Sequence, residues 1–130
     1  MKLYGLGPTR SIRALWGLLE LGVEFEFVPV NLRAGEHRHP DFLRLNPAGK
    51  LPVLVDGDFV LTESAAIVLY LAEKYSAKGL LPSDLKVRAQ VYRWVMGFYP
   101  VSADGLIKAK NFRSRRVTLR RIRGLWNRSM

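Results

Sequence analysis

No cysteine occurs among the 130 residues. That excludes disulfides, thiolate metal ligands and any redox step that needs a cysteine of the chain itself. Histidine is scarce too, with only His37 and His39. No metal-ligand cluster, phosphate-cradling glycine loop or Ser-His-Asp order can be read. No run of about 18 apolar residues is present, so no membrane-spanning helix is expected. The first residues, Met1-Lys2-Leu3-Tyr4, pass straight into a strand-like run without a signal-peptide pattern. A cytoplasmic protein is the expectation. Acidic residues are almost missing from one end: residues 97–130 hold 9 Lys/Arg against 1 Asp, whereas residues 1–96 hold 12 against 10. Of the formal charge of +10, +8 therefore resides in the tail, and two segments of different character meet near Met96-Gly97.

What is present suits one domain, with 48% apolar residues for a core. Lys2 to Leu6 reads as a strand. Pro8-Thr9 can open a helix that runs to about Leu21, with Ile12, Leu15, Trp16 and Leu19 at helical spacing and Gly22 as its stop. Residues 25–30 form a second strand, which completes a right-handed βαβ unit with parallel strands. A short helix is expected near Asp41 to Leu45. Buried on both faces, the first two strands would account for their apolar content.

The most informative stretch runs from Asn46 to Tyr75. Asn46-Pro47-Ala48-Gly49 is turn chemistry. Residues 51–55 are an apolar strand. Asp56-Gly57-Asp58 signals a tight hairpin, and residues 59–61 return. Thr62-Glu63-Ser64 opens a helix to about Tyr75, with Ala66, Ile67, Tyr70 and Leu71 as its inner stripe. Pro52 permits two readings. It is a first-strand residue on an edge, where no ladder donor is lost, or it follows a cis bond that exposes the Leu51 backbone to a ligand. Glu63-Ser64 also reads two ways. It is a capping pair, or it is the binding end of a helix whose free N–H groups and dipole favour a carboxylate, with Glu63 facing an ammonium group.

The sequence G-K-L-P-V-L-V-D-G-D, followed by L-T-E-S and an apolar helix, resembles the glutathione-site core of the glutathione transferase family. The resemblance covers residues 1–96, is most specific over 46–75, and points to the theta-like, bacterial type. It implies an α/β, thioredoxin-like βαβ-α-ββα domain over residues 1–76. Residues 77–96 would be a linker and the first helix of a truncated helical domain, with Val87, Val91, Trp94 and Val95 on its apolar face and Ser83 or Asp84 as its cap. Residues 97–130 show no match to the family and read as an irregular or non-native basic tail.

For function, the resemblance implies glutathione as co-substrate, no metal, and attack of its thiolate on an unknown electrophile. Pro52 would be cis. Glu63 and Ser64 would hold the γ-glutamyl end, Leu51 the cysteinyl backbone, and Lys50 and His37 the glycine carboxylate; His39 is a surface alternative to His37. Asn46 would hold its own loop. The thiol-activating hydroxyl would be Thr9, with Ser11 as second choice; Tyr4 lies inside the strand, out of place for that role. The electrophile pocket in this family is built largely from the second domain, which puts turnover by this chain in question. A homodimer is one option, and no specific nucleic acid or membrane partner is expected. Two rival readings stand beside this: a non-catalytic module that holds glutathione or a protein, and polyanion binding by the arginine-rich tail.

Overall fold

A computed structural model describes residues 1–97; the rest of the basic tail, and every expectation that falls on it, lies outside the described residues. Four strands form one sheet: β1 (Lys2–Gly5), β2 (Glu26–Pro29), β3 (Val53–Asp56) and β4 (Phe59–Thr62). Their spatial order is β2-β1-β3-β4. The β1–β2 pair is parallel, joined by α1 (Ser11–Leu21). The β3 strand runs antiparallel to both β1 and β4. Helix α2 (Pro40–Leu45) precedes β3, and α3 (Ser64–Lys74) follows β4. This is the thioredoxin-like arrangement expected from the order of elements.

The strand period of two divides the core between the two faces of the sheet. Leu3 and Leu54, partners in the β1–β3 register, point to one face. There they pack with Ala14, Leu15, Leu18 and Leu21 of α1 and with Ile67 and Leu71 of α3. Tyr4 and Val53, the next pair, join Val30 and Phe42 on the other face, under α2. The Tyr4 ring meets Phe42 edge-on at 6.3 Å, so it is a packing residue.

Three expectations need correction. The doubly covered strands are β1 and β3, because β2 stands at an edge and none of its residues is fully buried. The inner stripe of α1 is Ala14, Leu15, Leu18 and Leu21; Ile12, Trp16 and Leu19 lie at its margins. The helix packs α3 as well as the sheet, which rotates the buried face away from the simple apolar pattern. On α3 the fully buried residues include Ile67, Leu71 and Ala72, while Ala66 and Tyr70 are half-buried.

After a 3₁₀ turn at Ser76–Lys78 comes α4 (Leu85–Gly97). Asp84 caps it, accepting a 2.9 Å bond from the Val87 N–H. The apolar face expected there is not covered by the domain. No α4 residue is fully buried, and Leu85, Val87, Trp94 and Met96 are all exposed.

The hairpin is tied to α3 by a polar cluster. Asp56 accepts a 2.7 Å hydrogen bond from Tyr70 and an ion-paired one from Lys74. Both donors, Lys74 first, hold the Asp56 carboxyl below the usual carboxylate range. The carboxylate in turn raises the pKa of Lys74 and of Tyr70. A carboxyl depressed in the folded state stabilises it above the unfolded-state pKa, and that stability fades as the pH falls through the folded value. Asp56→Asn should therefore lower the melting temperature more at neutral pH than in acid below the folded-state pKa, where the wild-type carboxyl is protonated. Melts of both proteins at the two pH values check this. An unchanged gap between them would show that the pair contributes nothing pH-dependent.

Candidate functional site

Between α2 and β3 the chain makes a loop whose shape Asn46 imposes. Its buried side chain donates to the Lys50 carbonyl at 2.8 Å and accepts from the Ala48 N–H at 3.1 Å. Gly49 completes the turn with a φ of +61°, and a Cβ there would lie 3.1 Å from the His37 carbonyl oxygen. Both facts require glycine. The loop delivers Lys50, Leu51 and Pro52 to the start of β3, and the Leu51–Pro52 peptide bond is cis.

The second wall is the junction of β4 and α3. Glu63 stands there with φ 67° and ψ 115°, the only positive-φ residue other than glycine among those described. Such a backbone is unfavourable by about 1–3 kcal/mol and tends to persist where a function needs the side chain placed. No side chain caps α3, so the plain capping reading of Glu63-Ser64 does not describe this helix start. Its first-turn N–H groups stay available to a ligand.

Together the two walls form a cleft of about 120 Å³. Lys50, Leu51, Pro52, Glu63 and Ser64 all line it, as do Asn46 and Ala48 of the loop. Ser64 is buried at its floor, whereas Lys50 and Glu63 are exposed at its rim. Two lining residues were not singled out from the sequence, Arg10 and Thr62. Thr62 could have been inferred as the last residue of β4, next to Glu63. Arg10 carried no sequence signal beyond its place between two hydroxyl residues.

His37 does not line the cleft. It sits behind Gly49, with its Nδ1 atom buried and without a partner among the described residues. His39 is exposed, 3.5 Å from Asp41.

The two hydroxyls read as thiol activators are also absent from the lining. They close a ring of hydrogen bonds with Leu6. The Leu6 N–H donates to Ser11 Oγ at 3.3 Å, and the Ser11 N–H donates to Thr9 Oγ1 at 3.2 Å. The Thr9 hydroxyl donates to the Leu6 carbonyl. The two hydroxyl oxygens are 2.8 Å apart, and either can donate to the other. Ser11 is also 1% exposed. In this geometry the pair shapes the loop before α1.

A pocket with a cis-proline wall, an uncapped helix start and a strained acidic residue suits an amino-acid-like end group. Residues 1–73 match the family model of the glutathione S-transferase N-terminal domain. The chain belongs to the glutathione S-transferase family. It is 44% identical over 97 residues to glutathione S-transferase F9 of Arabidopsis thaliana, an alignment covering 73% of this chain and 45% of that protein. Glutathione transferase F2 of Populus trichocarpa superposes with a TM-score of 0.68 at 37% identity, over 74% of this chain and 46% of that one. Human glutathione transferase theta-2, solved in complex with glutathione and an unknown ligand, does so with a TM-score of 0.66 at 39% identity, over 74% and 40%.

The chain thus spans less than half the length of these glutathione S-transferases. The matches do not support the theta-like, bacterial affiliation read from the sequence; they indicate the plant type. Among the described residues no helix is long and apolar enough to cross a membrane, and no group of three or more His, Asp or Glu could hold a metal.

Proposed function

We propose that residues 1–76 are a glutathione-binding domain and that, in the intact reaction, the bound thiolate attacks an electrophilic carbon. The observation that carries this reading is the convergence of Lys50, Leu51, Glu63 and Ser64 on one cleft. Ser64 and the first turn of α3 receive the γ-glutamyl carboxylate. Glu63 faces its ammonium group, the Leu51 backbone pairs with the cysteinyl unit, and Lys50 meets the glycine carboxylate. His37 supports the Lys50 loop from behind. The domain supplies binding and orientation. In this family the electrophile site is built largely from a second, helical domain, of which residues 77–96 would be the linker and first helix. Residues 97–130 are the candidate basic tail. A plant-type class assignment is part of the proposal. So is a homodimer, which the uncovered side chains of α4 support; sedimentation of the full chain decides that point.

A second reading has its own support. Thr9 and Ser11 bond each other and Leu6 and lie outside the cleft lining, an arrangement that suits a module that holds glutathione without turning it over. Transferase assays on Thr9→Ala and Ser11→Ala separate the two readings. Loss of turnover in either variant favours the enzyme.

Glutathione binding is tested by melting the full chain with and without millimolar glutathione. A ligand present at about 100 times its Kd stabilises the folded state by about 2.7 kcal/mol. The decisive variant is Glu63→Gly. It removes the carboxylate and also relieves the positive φ. The ligand-free melting temperature should hold or rise while the glutathione shift falls away. A full shift in this variant would remove Glu63 from the site, and no shift in the unsubstituted protein would sink the reading.

A further inference from the structure

Three consecutive residues, Thr62, Glu63 and Ser64, contribute to the lining of the cleft. A straight strand would forbid that, because successive side chains point to opposite faces. The positive φ of Glu63 turns the chain between β4 and α3 and brings all three to one side. Ser64 lies on the α3 side of that turn, with the helix N–H groups that suit a carboxylate. Thr62 lies on the β4 side, paired across the sheet with Val53, the residue after the cis-proline. It is half-buried, and no hydrogen bond ties its hydroxyl to another described residue. We propose that Thr62 Oγ1 is a second acceptor for the α-amino group of the ligand, beside the Glu63 carboxylate, and that it sets the preference of the site for a γ-glutamyl end over its deaminated counterpart.

The inference rests on the glutathione reading above. An ammonium group has three N–H donors and needs acceptors for them. Glu63 stands exposed at the rim, where water screens an ion pair, so its carboxylate alone selects weakly. The lining side chains that can accept a hydrogen bond are Asn46, Thr62, Glu63 and Ser64. The Asn46 oxygen already accepts from the Ala48 N–H, and Ser64 is given to the carboxylate. Thr62 is the one left to join Glu63. A hydroxyl oxygen has two lone pairs, and a bond from a charged donor is the stronger kind. The branched side chain is stiff at χ1, so the oxygen is held in place at little entropic cost.

Titration calorimetry on the full chain compares glutathione with glutaryl-cysteinyl-glycine, the deaminated analogue that keeps both carboxylates and the thiol. Thr62→Val keeps the shape, removes the hydroxyl and suits a strand at least as well. It should weaken glutathione by about tenfold or more, the value of a hydrogen bond to a charged group, and leave the affinity for the analogue unchanged. Thr62→Ser should restore most of the glutathione affinity. Undiminished glutathione binding by Thr62→Val overturns the proposal. Equal weakening of both ligands also overturns it, because the hydroxyl would then serve another part of the peptide or the cleft wall itself. An unsubstituted chain that binds both ligands equally keeps the glutathione reading and rejects only this inference. If it binds neither, the glutathione reading itself fails and this inference falls with it.

Discussion

Leu54→Ala is expected to lower the stability of the domain by about 2–5 kcal/mol, the range for emptying a leucine site in a packed core. Leu54 is completely buried. It lies in β3 between two neighbours, paired with Leu3 on β1 and Leu61 on β4. It packs in the cluster formed with α1 and α3. Its neighbours are the packed side chains of the sheet and the two helices, so the cavity persists and its walls lose their contacts. For a domain of this size about 1 kcal/mol moves the melting temperature by about 4–8 °C, so the fall should exceed about 10 °C. Leu54→Met keeps the volume and should cost less than about 1.5 kcal/mol. Leu61→Ala, half-exposed on the outer strand, should fall between the two. The comparison is read by thermal and denaturant melts. A Leu54→Ala protein that melts within a few degrees of the parent would mean that the β1–β3 layer is not the centre of the fold.

The parts of this fold legible in the sequence are those governed by local chemistry. Asp56-Gly57-Asp58 marked the hairpin because a tight turn needs a residue that accepts positive φ, and Gly57 has φ +65°. Gly22 ended α1 for the same reason, at φ +63°. The parts that were not legible depend on what each element meets in space. The α1 pattern suggested Ile12, Trp16 and Leu19, but contact with α3 selected Ala14 and Leu18 instead. Nothing local to residues 26–29 says that β2 stands at an edge. Family resemblance supplied Glu63-Ser64 and Leu51-Pro52 as a site; local chemistry alone left both pairs with plain structural readings. Thr9 and Ser11 show the limit of that carry-over. Two hydroxyls before a helix look the same in sequence whether their protons face a ligand or each other. Arg10 between them could be found only once the cleft had walls.

Gly5→Ala and Gly17→Ala make the same chemical change and should have opposite effects. Gly17 lies inside α1, where an added Cβ would meet only a Val68 methyl at 3.8 Å, an ordinary contact. Alanine there should stabilise by up to about 1 kcal/mol, the difference in helix propensity. At Gly5, the end of β1, an added Cβ would lie 2.8 Å from Ser11 Cβ, 3.0 Å from Ser11 Oγ and 3.1 Å from the Phe27 ring. Ser11 Cβ is attached to the backbone of the first turn of α1, so it moves only if the helix start moves with it. Overpacking of this kind costs about 1–3 kcal/mol, more than alanine returns by restricting the unfolded chain. The shift would also open the hydrogen-bond ring of Leu6, Thr9 and Ser11, since Ser11 Oγ is one of its members. Adding Ser11→Gly to Gly5→Ala removes the clashing Cβ and should recover part of the loss in a double-mutant cycle. Denaturant melts of the parent, the three single variants and the double variant measure all of this. Gly5→Ala and Gly17→Ala changing stability in the same direction would show that β1 and α1 are not packed as closely as the Gly5–Ser11 approach requires.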